Sequence, residues 1–130
     1  MLANAPVVVS IACTDITIAR AFYGDTLGLN ETEIPGLQDA RAMYTCGNGT
    51  MLFIYQRETP PQANHTVAGW IVDDVDAAVD FLISRGVTLK TYPDMPDMEW
   101  DERGVGTRSG SKSAWFTDPD GNIMALAAMP

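Results

Sequence analysis

The chain has 130 residues, of which 46% are hydrophobic and 19% charged, and its formal net charge is −9 at pH 7. This length and composition are typical of a single globular domain and exclude an intrinsically disordered chain. With 8 Lys and Arg residues against 17 Asp and Glu residues, we expect neither a nucleic acid nor an anionic membrane surface as a partner.

The cysteines and the apolar runs of the sequence bear on the cellular compartment. Cys13 and Cys46 match no zinc-binding spacing, and two thiols do not make a disulfide framework. No apolar run approaches the ~20 residues of a transmembrane helix. The first residues lack the basic region that begins a signal peptide. We therefore predict a cytoplasmic protein.

The first half of the chain predicts the element order β-α-β-β-β. The apolar, β-branched residues 7–13 predict a buried strand. Asp15 is a candidate N-cap for a helix, and Gly28 can end that helix in the left-handed conformation. The dipeptide Asn48-Gly49 predicts a hairpin. Three further strands are predicted at residues 29–34, 40–45 and 50–55.

The same pattern restarts after a polar, Pro-rich segment at residues 56–64, which we interpret as a linker. Asp74 is the candidate cap of a second helix, and Gly86 ends it. A long loop is predicted at residues 93–110, and the Asp118-Pro119-Asp120-Gly121-Asn122 run predicts a turn. The strands of this half are predicted at residues 67–72, 87–92, 111–117 and 123–127.

The two halves are an internal repeat. Asp15 matches Asp74, Phe22 matches Phe81, and a glycine ends each helix at nearly the same offset. Neither half can bury both faces of its sheet alone. We therefore predict a single α+β domain over residues 1–130, with modules at about 7–55 and 65–128. Together the modules would form an open, cup-shaped mixed sheet with the helices on its outer face.

Three stretches resemble the vicinal oxygen chelate superfamily, which includes glyoxalase I, extradiol dioxygenases, and fosfomycin and bleomycin resistance proteins. Residues 15–29 read DITIARAFYGDTLGL and are similar to the D…FY…LG signature of that family. Residues 72–87 resemble its second helix, and residues 114–123, AWFTDPDGNI, resemble its closing hairpin. The resemblance implies paired β-α-β-β-β modules around a ligand site, and a homodimer.

Metal-dependent members of that family place His, Gln or Glu at four positions in the cup. The resemblance assigns these positions to Val8, Phe53, Val67 and Ala125, none of which can ligate a metal ion. We therefore predict no metal cofactor. Displaced ligands remain an alternative, because His65, the one histidine of the chain, would lie on the same strand face as Val67.

Strand alternation makes the predicted cup apolar and partly aromatic, which suits a flat organic ligand. Trp115 is compatible with either the cup or the core, and Trp100 lies in the predicted long loop, either as a lid or against a dimer partner. We interpret Trp70 as core. No catalytic residue is assigned. The candidate ligand-binding residues are Val8, Phe53, Val67, Ala125, Tyr44, Tyr55, Trp100, Trp115 and His65.

Two functions of different classes agree with these observations. The first is a metal-free small-molecule binding protein of the glyoxalase and bleomycin resistance type, with an apolar or aromatic ligand in the cup. The alternative is a metal-dependent lyase, isomerase or dioxygenase of the same superfamily with displaced ligands. A third interpretation is a dimer that binds a partner and whose cup is only core packing. The metal content of the purified protein distinguishes the first two.

Overall fold

The computed structural model describes residues 1–37 and 39–129. The chain divides into two compact units, Met1–Pro61 and Gln62–Pro130, and the boundary lies within the polar, Pro-rich segment 56–64. Each unit combines one mixed β-sheet with one helical segment that packs on it, and the first unit also has short 3₁₀ helices at Leu2–Asn4 and Gly47–Gly49. This composition confirms the predicted α+β class. No helix in the described part of the chain has the length and apolar character needed to cross a membrane.

The first unit contains a four-stranded sheet in the order β1-β4-β3-β2. Strands β1 and β4 are parallel, and the other neighbours are antiparallel. Helix α1 spans Ile16–Arg20 and continues as a π-helical segment, Ala21–Thr26. The strands are β1 (Val8–Cys13), β2 (Asn30–Thr32), β3 (Arg41–Thr45) and β4 (Met51–Gln56).

The predicted helix signals of the first unit are confirmed. The Asp15 carboxylate accepts hydrogen bonds from the backbone N–H groups of Thr17 and Ile18, at 2.9 and 3.2 Å. These bonds satisfy donors that a helix N-terminus leaves without partners. Gly28 follows the helical segment with φ of 75°, a value that favours glycine. The π-helical turns after Arg20 are not indicated by any local sequence signal.

The second unit contains a five-stranded sheet in the order β5-β9-β8-β7-β6, with β5 and β9 parallel. Helix α2 spans Val75–Ser84, and the Asp74 side chain caps it by accepting a hydrogen bond from the Ala77 N–H at 3.1 Å. The strands are β5 (Thr66–Ile71), β6 (Glu99–Trp100), β7 (Gly106–Arg108), β8 (Ser111–Thr117) and β9 (Ile123–Ala127).

Two predictions for the second unit are wrong. Residues 87–92 do not form a strand, because only Lys90 pairs, through its N–H to the Trp115 carbonyl at 2.7 Å. The same edge of β8 is paired at residues 111–113 with β7. The predicted loop at residues 93–110 therefore contains the hairpin of β6 and β7.

Each helix covers one face of the sheet in its own unit. Helix α1 packs on β3 and β4, and helix α2 packs on β8 and β9. Beneath them lie buried side chains such as Ile54 in the first unit and Phe116 in the second. We call the opposite face of each sheet its open face. Because side chains alternate along a strand, the partners in each cross-strand register row share a face.

Candidate functional site

The open face of the second unit has a floor of very small side chains beside a tryptophan. Gly69 of β5 is paired with Ala125 of β9, which is paired with Trp115 of β8. A Cβ atom at Gly69 would lie 3.3 Å from the Ala125 carbonyl oxygen, so the two strands approach closely there. The floor formed by Gly69 and Ala125 leaves one side of the Trp115 ring without bulky neighbours in its own register row.

Trp115 belongs to a cluster of three aromatic rings in the second unit, which we call the aromatic cluster. Its ring centroid lies 5.6 Å from that of Tyr92 and 5.8 Å from that of Trp100, and the Tyr92 and Trp100 centroids are 6.5 Å apart. Such separations are typical of contacting aromatic pairs. The Tyr92 and Trp115 rings meet edge to face at 86°, and Trp100 is tilted against them by 46° and 59°, so the cluster is a set of angled rings beside Ala125.

Cross-strand pairing places Trp100 on the same open face as Trp115. Trp100 is paired with Gly106 of β7, and Gly106 is paired with Ser113 of β8, which lies two residues from Trp115. Trp100 is therefore part of a short strand at the sheet edge, where the sequence predicted a loop. Trp70, which we interpreted as core, lies by contrast on the helix-covered face, where it is half-buried and stacks on buried Phe116 at 6.2 Å.

The missing side chain of Gly106 makes room for the Trp100 ring. A Cβ atom at position 106 would lie 2.6 Å from the Met98 sulfur and 3.0 Å from Cζ3 of Trp100. Both distances are shorter than ordinary van der Waals contact. The Trp100 ring and Met98 therefore lie directly over the Gly106 backbone, and this arrangement directs the ring along the sheet toward Trp115.

The turn that joins β6 to β7 is held by Asp101. Its Oδ1 atom accepts hydrogen bonds from the backbone N–H groups of Arg103, Gly104 and Val105, at 2.9, 3.0 and 2.9 Å. Desolvation raises the pKa of Asp101, but the hydrogen bonds from Val105 and Arg103 outweigh it, so the pKa lies below its usual value. The turn is thus fixed by a charged acceptor.

Arg103 connects this turn to helix α2. Its guanidinium donates to Asp80 Oδ1 at 2.9 Å, to Asp101 Oδ2 at 2.9 Å, and to Asp76, which also accepts from Lys112. The hydrogen bonds from Lys112 and Arg103 lower the pKa of Asp76. The hairpin that carries Trp100 is therefore attached to the helix on the other side of the sheet.

The Trp100 indole has a polar atom without a partner. Its Nε1 atom is shielded from solvent and donates no hydrogen bond to any described residue. A buried donor in this state is unfavourable, because it has lost its hydration without gaining an acceptor. Buried polar groups without partners are uncommon in folded proteins, so this N–H is a distinctive feature of the aromatic cluster.

Three of the predicted site residues share the open face of the first unit. The rings of Phe53 and Tyr55 stack at a centroid distance of 5.9 Å. Val8 is paired with Met51, which lies two residues before Phe53 on β4, and it is 38% exposed. The open face of this unit is therefore apolar and aromatic at the positions that the resemblance assigned to metal ligands.

Tyr44 lies on the opposite face from these residues, so we remove it from the candidate site. It is paired with Leu52, whereas its neighbour Met43 is paired with Phe53. Its side chain is 1% exposed, and its ring lies 6.0 Å from that of Tyr23 in the helical segment. Tyr44 is a core residue beneath the helix.

The burial of Tyr44 predicts a loss of stability in alkali. Burial, with a further contribution from Glu31, raises the pKa of Tyr44 from 10.0 to about 12, although Arg20 opposes the shift. The folded state thus keeps a proton that the unfolded state loses, so the stabilisation is complete below pH 10 and is lost between pH 10 and about 12. Urea midpoints measured across this range should fall more steeply for the natural chain than for Tyr44→Phe. If the urea midpoints of the two proteins fell equally with pH, the raised pKa of Tyr44 would be contradicted.

The side chains present do not fit the metal site that the resemblance implies. Val8, Phe53 and Ala125 offer only hydrocarbon, and Val67 lies at an irregularity between β5 and β9. His65 is exposed and precedes β5. Within residues 1–37 and 39–129, no three His, Cys, Asp or Glu side chains are grouped so as to hold a metal ion.

Sequence reasoning missed Tyr92, Gly106 and Arg103. Tyr92 lies in a segment predicted as a strand, and the other two lie in a segment predicted as a loop, so no periodicity placed them. The one available signal was the Asp101–Val105 stretch, where an Asp followed three residues later by Gly is typical of a turn. That signal would have predicted the hairpin, but not the aromatic contacts.

Solved structures with the same fold cover nearly the whole chain. A glyoxalase/bleomycin resistance protein from Catenulispora acidiphila is 26% identical, with a TM-score of 0.66 over 98% of this chain and 100% of its own. TnmS3, an antibiotic binding protein from Streptomyces sp. CB03234, is 25% identical, with a TM-score of 0.71 over 100% and 99%. A putative glyoxalase family protein from Bacillus anthracis is 21% identical, with a TM-score of 0.73 over 98% and 96%.

Among curated proteins, none matches the chain. One family model matches residues 6–126, which is most of the sequence. The match includes both helix caps, the Asp118–Asn122 turn and all strands except the last residue of β9. The chain belongs to the Glyoxalase/Bleomycin resistance protein/Dioxygenase superfamily.

Proposed function

We propose that this protein binds a small, partly aromatic molecule on the open sheet faces and uses no metal ion to do so. The observation that carries the proposal is the aromatic cluster beside the Gly69 and Ala125 floor. The Trp115 ring supplies stacking area, and the small side chains beside it in its register row supply space for a flat ligand. The hydrocarbon side chains at Val8, Phe53 and Ala125 support binding without metal chemistry.

The charge of the chain supports a positively charged ligand, and one relative supports the binding of a small molecule. With a formal net charge of −9, the protein attracts cations over a range set by the ionic strength. TnmS3, which is 25% identical, is an antibiotic binding protein. We infer a comparable role for this chain, namely sequestration of a planar, cationic organic compound without conversion to a product.

A fluorescent planar cation, 9-aminoacridine, tests the proposal. Its anisotropy is titrated with the natural protein and with Trp115→Leu, which removes the stacking ring but keeps an apolar side chain in β8. We expect affinity to fall about tenfold or more in Trp115→Leu, from the loss of one aromatic contact and its buried area. Phe53→Ala tests the open face of the first unit in the same way.

The matched control is Trp70→Leu, which makes the same chemical change on the helix-covered face of the same sheet. It leaves the net charge unchanged, so a nonspecific attraction to the acidic surface would be equal in all three proteins. Equal affinities for the natural protein, Trp115→Leu and Trp70→Leu would overturn the proposed site. About one tightly held Zn, Ni, Mn or Fe ion per purified chain would instead favour the metal-dependent alternative.

We also propose that the protein is a cytoplasmic homodimer, as the family resemblance and the composition led us to expect. Light scattering on the eluted peak of a sizing column measures the mass directly. A mass near twice the 14.1 kDa of one chain supports the dimer, and a mass near that of one chain contradicts it.

A further inference from the structure

We propose that the Trp100 indole N–H is the hydrogen-bond donor of the binding site and that it selects planar aromatic ligands carrying a carbonyl-type oxygen. This inference rests on the proposed function, since it names the ligand chemistry of the same open face. It assigns a directed polar contact to a surface that is mainly aromatic and hydrocarbon, where Lys90 Nζ lies 5.5 Å from the Tyr92 ring centroid.

The hydrogen bonding of the Trp100 N–H group supports this inference. Nε1 of Trp100 is buried and has no acceptor among the described residues. A phenylalanine at this position would provide an aromatic ring without that unfavourable donor. A donor that lacks a partner within the chain acquires one when a ligand supplies an acceptor, and its desolvation has already occurred.

The position of the Trp100 ring supports it as well. Trp100 lies over the Gly106 backbone, and its centroid is 5.8 Å from that of Trp115. The backbone of its hairpin is held by the Asp101 carboxylate and by the Arg103 contacts to helix α2. The backbone that carries the indole is therefore held in place at the edge of the proposed stacking surface.

The surroundings of the indole favour a carbonyl oxygen as the acceptor for its N–H. The neighbours of the indole are the rings of Tyr92 and Trp115 and the thioether of Met98, which are weak acceptors. A carbonyl oxygen in the plane of a flat ligand is a far better acceptor for an N–H. Because Nε1 is shielded, the cluster must open for contact, and Tyr92 lies on an irregular segment whose backbone is bonded to β8 through Lys90.

Two uncharged probes of matched shape, 9-fluorenone and fluorene, test the inference. They differ in one position, where a carbonyl replaces a methylene group. Equilibrium dialysis with absorbance detection measures both affinities without relying on tryptophan fluorescence. We expect the natural protein to bind fluorenone about tenfold more tightly than fluorene, as one buried hydrogen bond implies. Trp100→Phe should abolish that preference, and Trp70→Phe should retain it.

A second readout is independent of affinity. The indole N–H signals of the three tryptophans are resolved by ¹⁵N NMR and assigned with the Trp→Phe variants. Fluorenone should move the Trp100 signal downfield, and fluorene should not. A fluorenone preference that persists in Trp100→Phe, or equal affinities in the natural protein, would overturn this inference. If Trp115→Leu still weakens binding of both probes, the proposed function stands although the Trp100 assignment fails. If neither probe binds while 9-aminoacridine does, the Trp100 assignment alone fails; if none of the three binds, both fail.

Discussion

Replacing Asp118 with Ala is expected to lower the free energy of unfolding by about 2–4 kcal/mol, because it leaves a buried amide without its acceptor. Asp118 is 4% exposed and Asn122 is 3% exposed. The Asp118 Oδ1 atom accepts from the N–H groups of Asp120 and Asn122, each at 2.9 Å, and Oδ2 accepts from Asn122 Nδ2 at 2.8 Å. Chemical denaturation monitored by circular dichroism measures the loss.

The control for this change is Pro119→Ala in the same turn, where the side chain is exposed. Its effect should stay within about 1 kcal/mol, since only the backbone entropy of the unfolded chain changes. A loss at Asp118 no larger than that at Pro119 would show that the buried hydrogen bonds do not hold the turn. The turn joins β8 to β9, so the same variant should also disturb the pairing of Trp115 with Ala125.

Gly106→Ala is the second large effect, with an expected loss of about 1–3 kcal/mol from overpacking. The new methyl group would lie 2.6 Å from the Met98 sulfur and 3.0 Å from the Trp100 ring. One of these two side chains has to move away from the sheet. Near-ultraviolet circular dichroism should therefore change together with stability, because the contacts among Trp100, Trp115 and Tyr92 are altered.

A double-mutant cycle with Met98→Ala identifies the cause of that loss. Met98→Ala removes the closest contact, so Gly106→Ala should cost less in that background. Gly110→Ala is a useful contrast, because nothing lies within 4 Å of the added methyl group and its cost is only that of a positive φ, 80°. Equal costs of Gly106→Ala with and without Met98 would show that the clash is not the source.

Those parts of the fold that rest on local chemistry could be predicted from the sequence. Asp15 and Asp74 cap the helices, and Asn48 and Gly49 form a hairpin turn with φ of 55° and 73°. The last two strands were predicted at the observed residues, because the Asp118–Asn122 turn separates them. Each of these signals is a short-range hydrogen bond or a backbone conformation that few residue types favour.

The candidate site depended on pairings between distant segments, and these could not be predicted. In β3 both Met43 and Tyr44 are apolar enough for either face, so the face of Tyr44 is decided by its register with Leu52 of β4. Trp100 reaches the open face only because β7 occupies half of one edge of β8. Neither fact follows from composition or periodicity within one strand.

Because Arg103 attaches the Trp100 hairpin to helix α2, ionic strength should affect the proposed site itself as well as the attraction of a charged ligand to it. Asp76, Asp80 and Asp101 hold the hairpin of Trp100 through ion pairs at the protein surface, and salt weakens such pairs. Salt also weakens the attraction between an acidic chain and a cationic ligand. At the proposed site, salt would therefore both weaken the attachment of the Trp100 hairpin and weaken the attraction of a cationic ligand.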